Sequence, residues 1–202
     1  MIRKIFLVGL VIVMALGAVA LGRYPRPRRA GQSAYLLPAG NKLIDLADIK
    51  EDTLLPATAA PPAPDFVAGT WINSEPVKLD QLRGRVVLVE FWTFDCYNCR
   101  NTLPTVKDWD LKYRERGLTI IGVHTPETDG EYVLDNVRRE VSNLGIKYPV
   151  VTDNDYKTWK AYNVQAWPTI FVLDKQGRAR WMHLGEGRYD ETEGVIKKLL
   201  AE

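Results

Sequence analysis

The succession of apolar runs and helical periodicities in this chain predicts an α/β fold, a three-layer α/β/α sandwich around a mixed β-sheet. Three observations carry that expectation. Val86-Val87-Leu88-Val89 is a buried strand, apolar at four positions and β-branched at three, continuing through Glu90-Phe91-Trp92. After Cys99 the apolar spacing turns helical, through Leu103, Val106, Trp109, Leu111 and Tyr113. Strand and helix patterns then alternate until two strands in succession precede a last helix.

The elements follow in order. Thr70-Trp71-Ile72 and Val77-Lys78-Leu79 flank Asn73-Ser74-Glu75-Pro76, which reads as a β-hairpin ahead of the main sheet. Asp80 to Gly84 turn into the strand at 86–92. The first helix covers about Cys96 to Arg116, with Pro104 as a kink and Gly117 as its end. Leu118 to Val123 form a second buried strand. Thr128-Asp129-Gly130-Glu131 has the spacing of a capping box, for a helix through Leu144. Tyr148 to Val151 make a short strand, and Asp153 or Asn154 caps a helix ending near Tyr162. Thr169–Asp174 and Arg178–Leu184 are joined by Lys175-Gln176-Gly177, which suits an antiparallel hairpin. Asp190 to Leu200 close the chain as a helix.

The remainder of the 202 residues divides in two. Residues 1–22 carry Arg3 and Lys4, then an uncharged apolar run from Ile5 to Leu21, at the lower limit for spanning a bilayer. This reads as an uncleaved signal-anchor. Ala18-Val19-Ala20 also fits a cleavage site, so a cleaved secreted form is the alternative. The arginines after the run favour a cytoplasmic domain by the positive-inside rule, whereas the basic–apolar–small pattern directs export. The export pattern is preferred, which places the domain outside the cytoplasm, in a periplasm-like compartment. Residues 23–64, opened by Tyr24-Pro25-Arg26-Pro27 and closed by Pro61-Pro62-Ala63-Pro64, read as an extended Pro/Arg-rich linker. The folded domain is expected at 65–202. A net charge of +2, with acids and bases interleaved, gives no support for nucleic-acid binding.

Cys96 and Cys99 are the two cysteines of the chain, placed where a strand hands over to a helix. Helix-terminal amides favour an anionic sulfur there. A zinc site needs two further ligands, and His124 and His183 are the two histidines present. Haem attachment needs His after Cys99, where Arg100 stands. Redox chemistry is preferred to both. Cys96, starting the helix, is the expected nucleophile, and Cys99, one turn on, the resolving thiol. Asp95 reads as the helix N-cap, and its charge disfavours the Cys96 thiolate, which points towards a reductant.

Glu90-Phe91-Trp92 with Cys96-x-x-Cys99, and Trp167-Pro168 ahead of a hairpin and last helix, resemble the thioredoxin superfamily. The preceding hairpin and the extra helix near 131–144 resemble its TlpA-like branch. Gly122-Val123-His124-Thr125-Pro126-Glu127, Asp135 to Arg139 and Asp153 to Tyr156 are similar to the thioredoxin-like domain of DipZ-type proteins. The resemblance covers about residues 65–202. It implies a thiol–disulfide oxidoreductase acting on protein disulfides, supplied by a membrane or thiol electron donor and active in cell redox homeostasis. It needs no cofactor beyond the redox-active Cys96–Cys99 disulfide. It implies that Glu90 is a buried acid handling the proton of Cys99, against the alternative of an outward-facing strand residue. It implies a cis peptide at Trp167–Pro168, with Trp92, Tyr97, Asn98, Trp167 and Pro168 forming the substrate-binding surface. His124 is expected near the dithiol but not as a catalytic group. Two rivals stand beside this reading. Thr93-x-x-Cys96 echoes peroxiredoxins, although Val89 replaces their Pro and Cys99 follows too closely. A non-enzymatic thioredoxin-fold binding module is the other.

Overall fold

A computed structural model describes residues 45–67 and 69–202. The apolar run Ile5–Leu21 and most of the expected linker lie outside the described residues. Among the described residues no helix is long and apolar enough to cross a membrane.

Among the described residues six strands form one mixed sheet: β1 (Trp71–Ile72), β2 (Val86–Trp92), β3 (Leu118–His124), β4 (Val150–Thr152), β5 (Thr169–Leu173) and β6 (Ala179–Leu184). Their spatial order is β1-β4-β3-β2-β5-β6. The central pairs β2–β3 and β3–β4 are parallel, whereas β2–β5, β5–β6 and β1–β4 are antiparallel. Among the described residues four α-helices accompany it: α1 (Tyr97–Tyr113), α2 (Leu134–Asn143), α3 (Lys157–Ala161) and α4 (Tyr189–Ala201). Helix α1 runs unbroken through Pro104.

All seven residues of β2 are buried, because the strand is central and both its faces are covered. Val86, Leu88 and Trp92 point to one face, against Leu103, Val106 and Trp109 of α1, Val137 and Val141 of α2, and Val195, Ile196 and Leu199 of α4. Val87, Val89 and Phe91 point to the other, against Tyr162, Val164 and Leu79. Phe91 packs edge-on to Trp159 and Phe171 there, at 6.1 Å in both cases. Strand parity thus assigns Glu90 to the face that carries α1 and Cys99.

The N-terminal hairpin is not formed. Trp71 and Ile72 pair with Val151 and Val150 at the sheet edge, and Leu79–Leu82 is a 3-10 turn. Asn73 explains the difference: its backbone is left-handed (φ 67°), and its amide donates to the carbonyls of Ile146 and Tyr148 at 3.0 and 3.1 Å. That clamp lays residues 71–72 onto β4. Pro76, without an N–H, cannot extend a returning strand, and the amide of Leu79 is taken by the Asp65 carboxylate at 3.0 Å.

The packed chain also begins earlier than Asp65. Ile49, Leu55 and Ala60 are buried against the β2/β5 face. The amides of Asp52 and Leu55 donate to Met182 and Arg180 of β6 at 2.9 and 2.8 Å. Pro62 bridges Arg178, and the buried Arg180 donates through Nε to the Leu55 carbonyl at 2.6 Å. Part of the segment expected to be an extended linker is therefore bound along the outer edge of the sheet.

Candidate active site

Cys96 and Cys99 form a disulfide, with Cα atoms 5.3 Å apart. Cys99 is fully buried in the α1 face of the core, whereas Cys96 is partly exposed. Cys96 is itself the N-cap of α1: its extended backbone (φ −68°, ψ 117°) starts the helix, and its sulfur accepts the Cys99 amide at 3.2 Å. The N-cap expected at Asp95 is thus one residue further on. Asp95 is exposed, and its own amide is turned inwards to donate to Glu131 at 2.9 Å. A sulfur at the N-cap of a 17-residue helix, accepting an amide hydrogen, sits where a thiolate is favoured.

Glu90 is fully buried in β2, which removes the outward-facing alternative. Burial pushes its carboxyl up to about 7, with the hydrogen bond from Tyr148 working in the opposite direction. That bond runs from the Tyr148 hydroxyl to Oε2 at 3.0 Å, while Oε1 has no hydrogen-bond partner among the described residues. The same burial, together with the Glu90 carboxylate, drives the Tyr148 hydroxyl well above its ordinary range. The site therefore holds a carboxyl poised to gain or lose a proton near neutrality, on the face of the sheet that holds Cys99.

The remaining residues divide. Trp167–Pro168 is a cis peptide, as the resemblance implies. Trp167 is half-buried: its Nε1 donates to the Thr125 carbonyl at 3.1 Å, and its ring lies 4.3 Å from that of Trp159. Tyr97 is 77% exposed and Asn98 is exposed beside it, so both are available at the surface next to Cys96. Trp92 is not. It is wholly buried beneath that surface, and its ring meets His124 edge-on at 5.4 Å. It can shape the site from inside the core but has no surface to offer a substrate.

His124 is buried, with Phe94 stacked on it at 5.5 Å and Nε2 3.1 Å from the Thr93 hydroxyl. Burial pushes its imidazole down to about 4, so it is neutral at physiological pH. Sequence reasoning missed Tyr148 and Glu131 as site residues. Tyr148 reads only as the start of a strand. Glu131 does complete the capping box with Thr128, around a 3-10 turn at Asp129–Tyr132 rather than α2 itself. Its second set of bonds, to the loop before Cys96, has no local signal.

The AhpC/TSA family model matches residues 60–182. The chain is 43% identical over 142 residues to Protein DipZ of Mycobacterium bovis, covering 68% of this chain and 20% of that protein. It therefore spans about a fifth of the length of that relative. It is 33% identical over 137 residues to thiol-disulfide oxidoreductase ResA of Bacillus thuringiensis, covering 68% of this chain and 76% of ResA. Among solved structures, a thiol-disulfide isomerase from Corynebacterium glutamicum superposes with a TM-score of 0.63 at 26% identity, over 69% of this chain and 97% of that one. With a buried acid beneath a helix-capping disulfide and a cis-proline in the same domain, the chain belongs to the AhpC/TSA family, as a thioredoxin-like domain of the DipZ and ResA type.

Proposed function

We propose that this protein is a thiol–disulfide oxidoreductase that reduces protein disulfides. The observation that carries the reading is the Cys96–Cys99 disulfide itself, with one sulfur reachable at a helix N-cap and the other buried on the Glu90 face. In the reduced state the Cys96 thiolate attacks a substrate disulfide, forming a mixed disulfide and releasing one substrate sulfur as a thiolate that takes up a proton. Cys99, giving its proton towards Glu90, then attacks Cys96 Sγ. The second substrate sulfur leaves, and two electrons have passed from the dithiol to the substrate. A thiol or membrane-borne reductant restores the pair. Tyr97, Asn98 and the Trp167–Pro168 segment flank the exchange and supply the surface for an extended substrate chain. The apolar run Ile5–Leu21 supports a single N-terminal anchor with the domain on the extracytoplasmic side.

Peroxide reduction, the rival reading, is disfavoured by Thr93. Its side chain is fully buried and engaged with His124, not presented at the surface with Cys96. The test is insulin reduction with dithiothreitol as donor. Cys96→Ser is expected to abolish turnover, and Cys99→Ser to accumulate a mixed disulfide that migrates as a covalent adduct on non-reducing gels. Hydrogen-peroxide consumption by the wild type without disulfide reduction would favour the peroxidase instead.

A further inference from the structure

The loop between β2 and α1 is gripped by a buried carboxylate that the exchange steps do not use. Glu131 is fully buried. Its Oε1 accepts the amide of Asp95 at 2.9 Å, and its Oε2 accepts the amides of Glu127 and Thr128 at 2.7 and 2.9 Å. Burial pushes the Glu131 carboxyl up, but the Thr93 hydroxyl and these three amides outweigh it and hold the group below the usual carboxylate range. The same donors favour its ionised form. Thr93 connects it onwards to His124 Nε2 at 3.1 Å. The line His124–Thr93–Glu131–Asp95 thus runs from the end of β3 to the residue before the nucleophile.

Two chemical facts follow. Every partner of Glu131 is a donor, and a carboxylate is the side chain with acceptor lone pairs on both oxygens and no proton to misplace. An amide in its place would turn an NH2 group towards an N–H on one side. The carboxylate also holds the Phe94–Asp95 peptide, one residue short of the nucleophile, and a fixed anion there disfavours a second anion on the sulfur. No cation offsets it within the line. His124 is neutral, and the flanking Asp95 and Glu127 side chains are exposed carboxylates.

We propose that Glu131 is the positioning residue of the dithiol: it fixes the turn that delivers Cys96 and, through its buried charge, biases the Cys96–Cys99 pair towards the reducing end of its range. The proposal rests on the exchange reading above. It gives Thr93 of the Thr-x-x-Cys motif a role as the link that holds the carboxylate.

The test is the glutathione equilibrium of the Cys96–Cys99 pair, with the thiolate absorbance of reduced protein followed against pH. Glu131→Gln is expected to lower the Cys96 pKa and to shift the exchange constant roughly tenfold towards a more oxidising pair. Thr93→Val is expected to displace the same titration, and Thr93→Ser, which keeps the hydroxyl, to restore it. A folded Glu131→Gln protein with the wild-type titration and exchange constant overturns the proposal. If that variant does not fold, a Thr93→Val protein with the wild-type titration overturns it. Insulin reduction by the wild type is measured separately, so a failed exchange reading shows there and not in the variant comparison.

Discussion

A carboxyl at the centre of a β-strand with both faces covered has no water to ionise into, and Glu90 carries that cost in its pKa. The shift from 4.5 to about 7 corresponds to about 3 kcal/mol favouring the protonated form. The sign follows from linkage. Below pH 4.5 the group is protonated in both the folded and unfolded chain, and nothing is lost. Between about 4.5 and 7 the unfolded chain releases the proton first, so the folded state loses stability as pH rises, and above 7 the loss is complete. Thermal melts at pH 5 and pH 8 should therefore show a decrease in the wild type that Glu90→Gln largely removes. Equal pH slopes in the two proteins would contradict the assignment. Tyr148→Phe removes the hydroxyl that holds the carboxyl down. It is expected to move the pH midpoint of insulin reduction upwards, with a smaller effect on melting than on that midpoint.

At the scale of elements, the site depends on how closely the side chains of Trp92 and Tyr148 approach β3 at Gly122. Gly122 pairs with Glu90 across β2–β3. A Cβ there would lie 2.9 Å from Trp92 Nε1 and 3.3 Å from Tyr148 Cε2. Gly122→Ala should cost about 1–3 kcal/mol through overpacking and displace Tyr148, the hydrogen-bond partner of Glu90. Urea unfolding measures the first effect and the pH profile the second. The elements were legible where their signal is local. The β-branched run of β2, the turn between β5 and β6 and the apolar stripe of α4 each dictate structure from a few adjacent residues. The edge strand was not, because Trp71 and Ile72 are placed by Asn73 reaching the carbonyls of residues 146 and 148, far along the chain. The same distinction holds in the site. Cys96, Cys99, Glu90 and Pro168 belong to compact motifs. Tyr148 meets Glu90 across 58 residues, and Glu131 meets Asp95 across 36, partnerships that no spacing encodes.

For the whole molecule, the bound segment before Asp65 matters most. A proline cluster such as Pro61-Pro62-Ala63-Pro64 reads as a spacer because it cannot build a helix or a central strand. It can still lie along a sheet edge, and the amide of Ala63 and the carbonyl of Pro61 bond to Gly177 and Ala179 at 2.9 Å each. Ile49 and Leu55 are each buried, contributing about 1.5–3 kcal/mol apiece. That sum is a large share of the 5–15 kcal/mol of a typical domain. A chain cut to 65–202 should therefore melt well below one starting at residue 45, and should aggregate through the bared edge of β6. Identical melting of the two would show that the segment contributes nothing.

That bound segment also sets a distance. The twenty residues from 45 to 64, fully extended, would span roughly 70 Å. Laid along the sheet, they add none of that reach. For a domain anchored as proposed, residues 45–64 therefore add nothing to the distance the dithiol can reach from the bilayer.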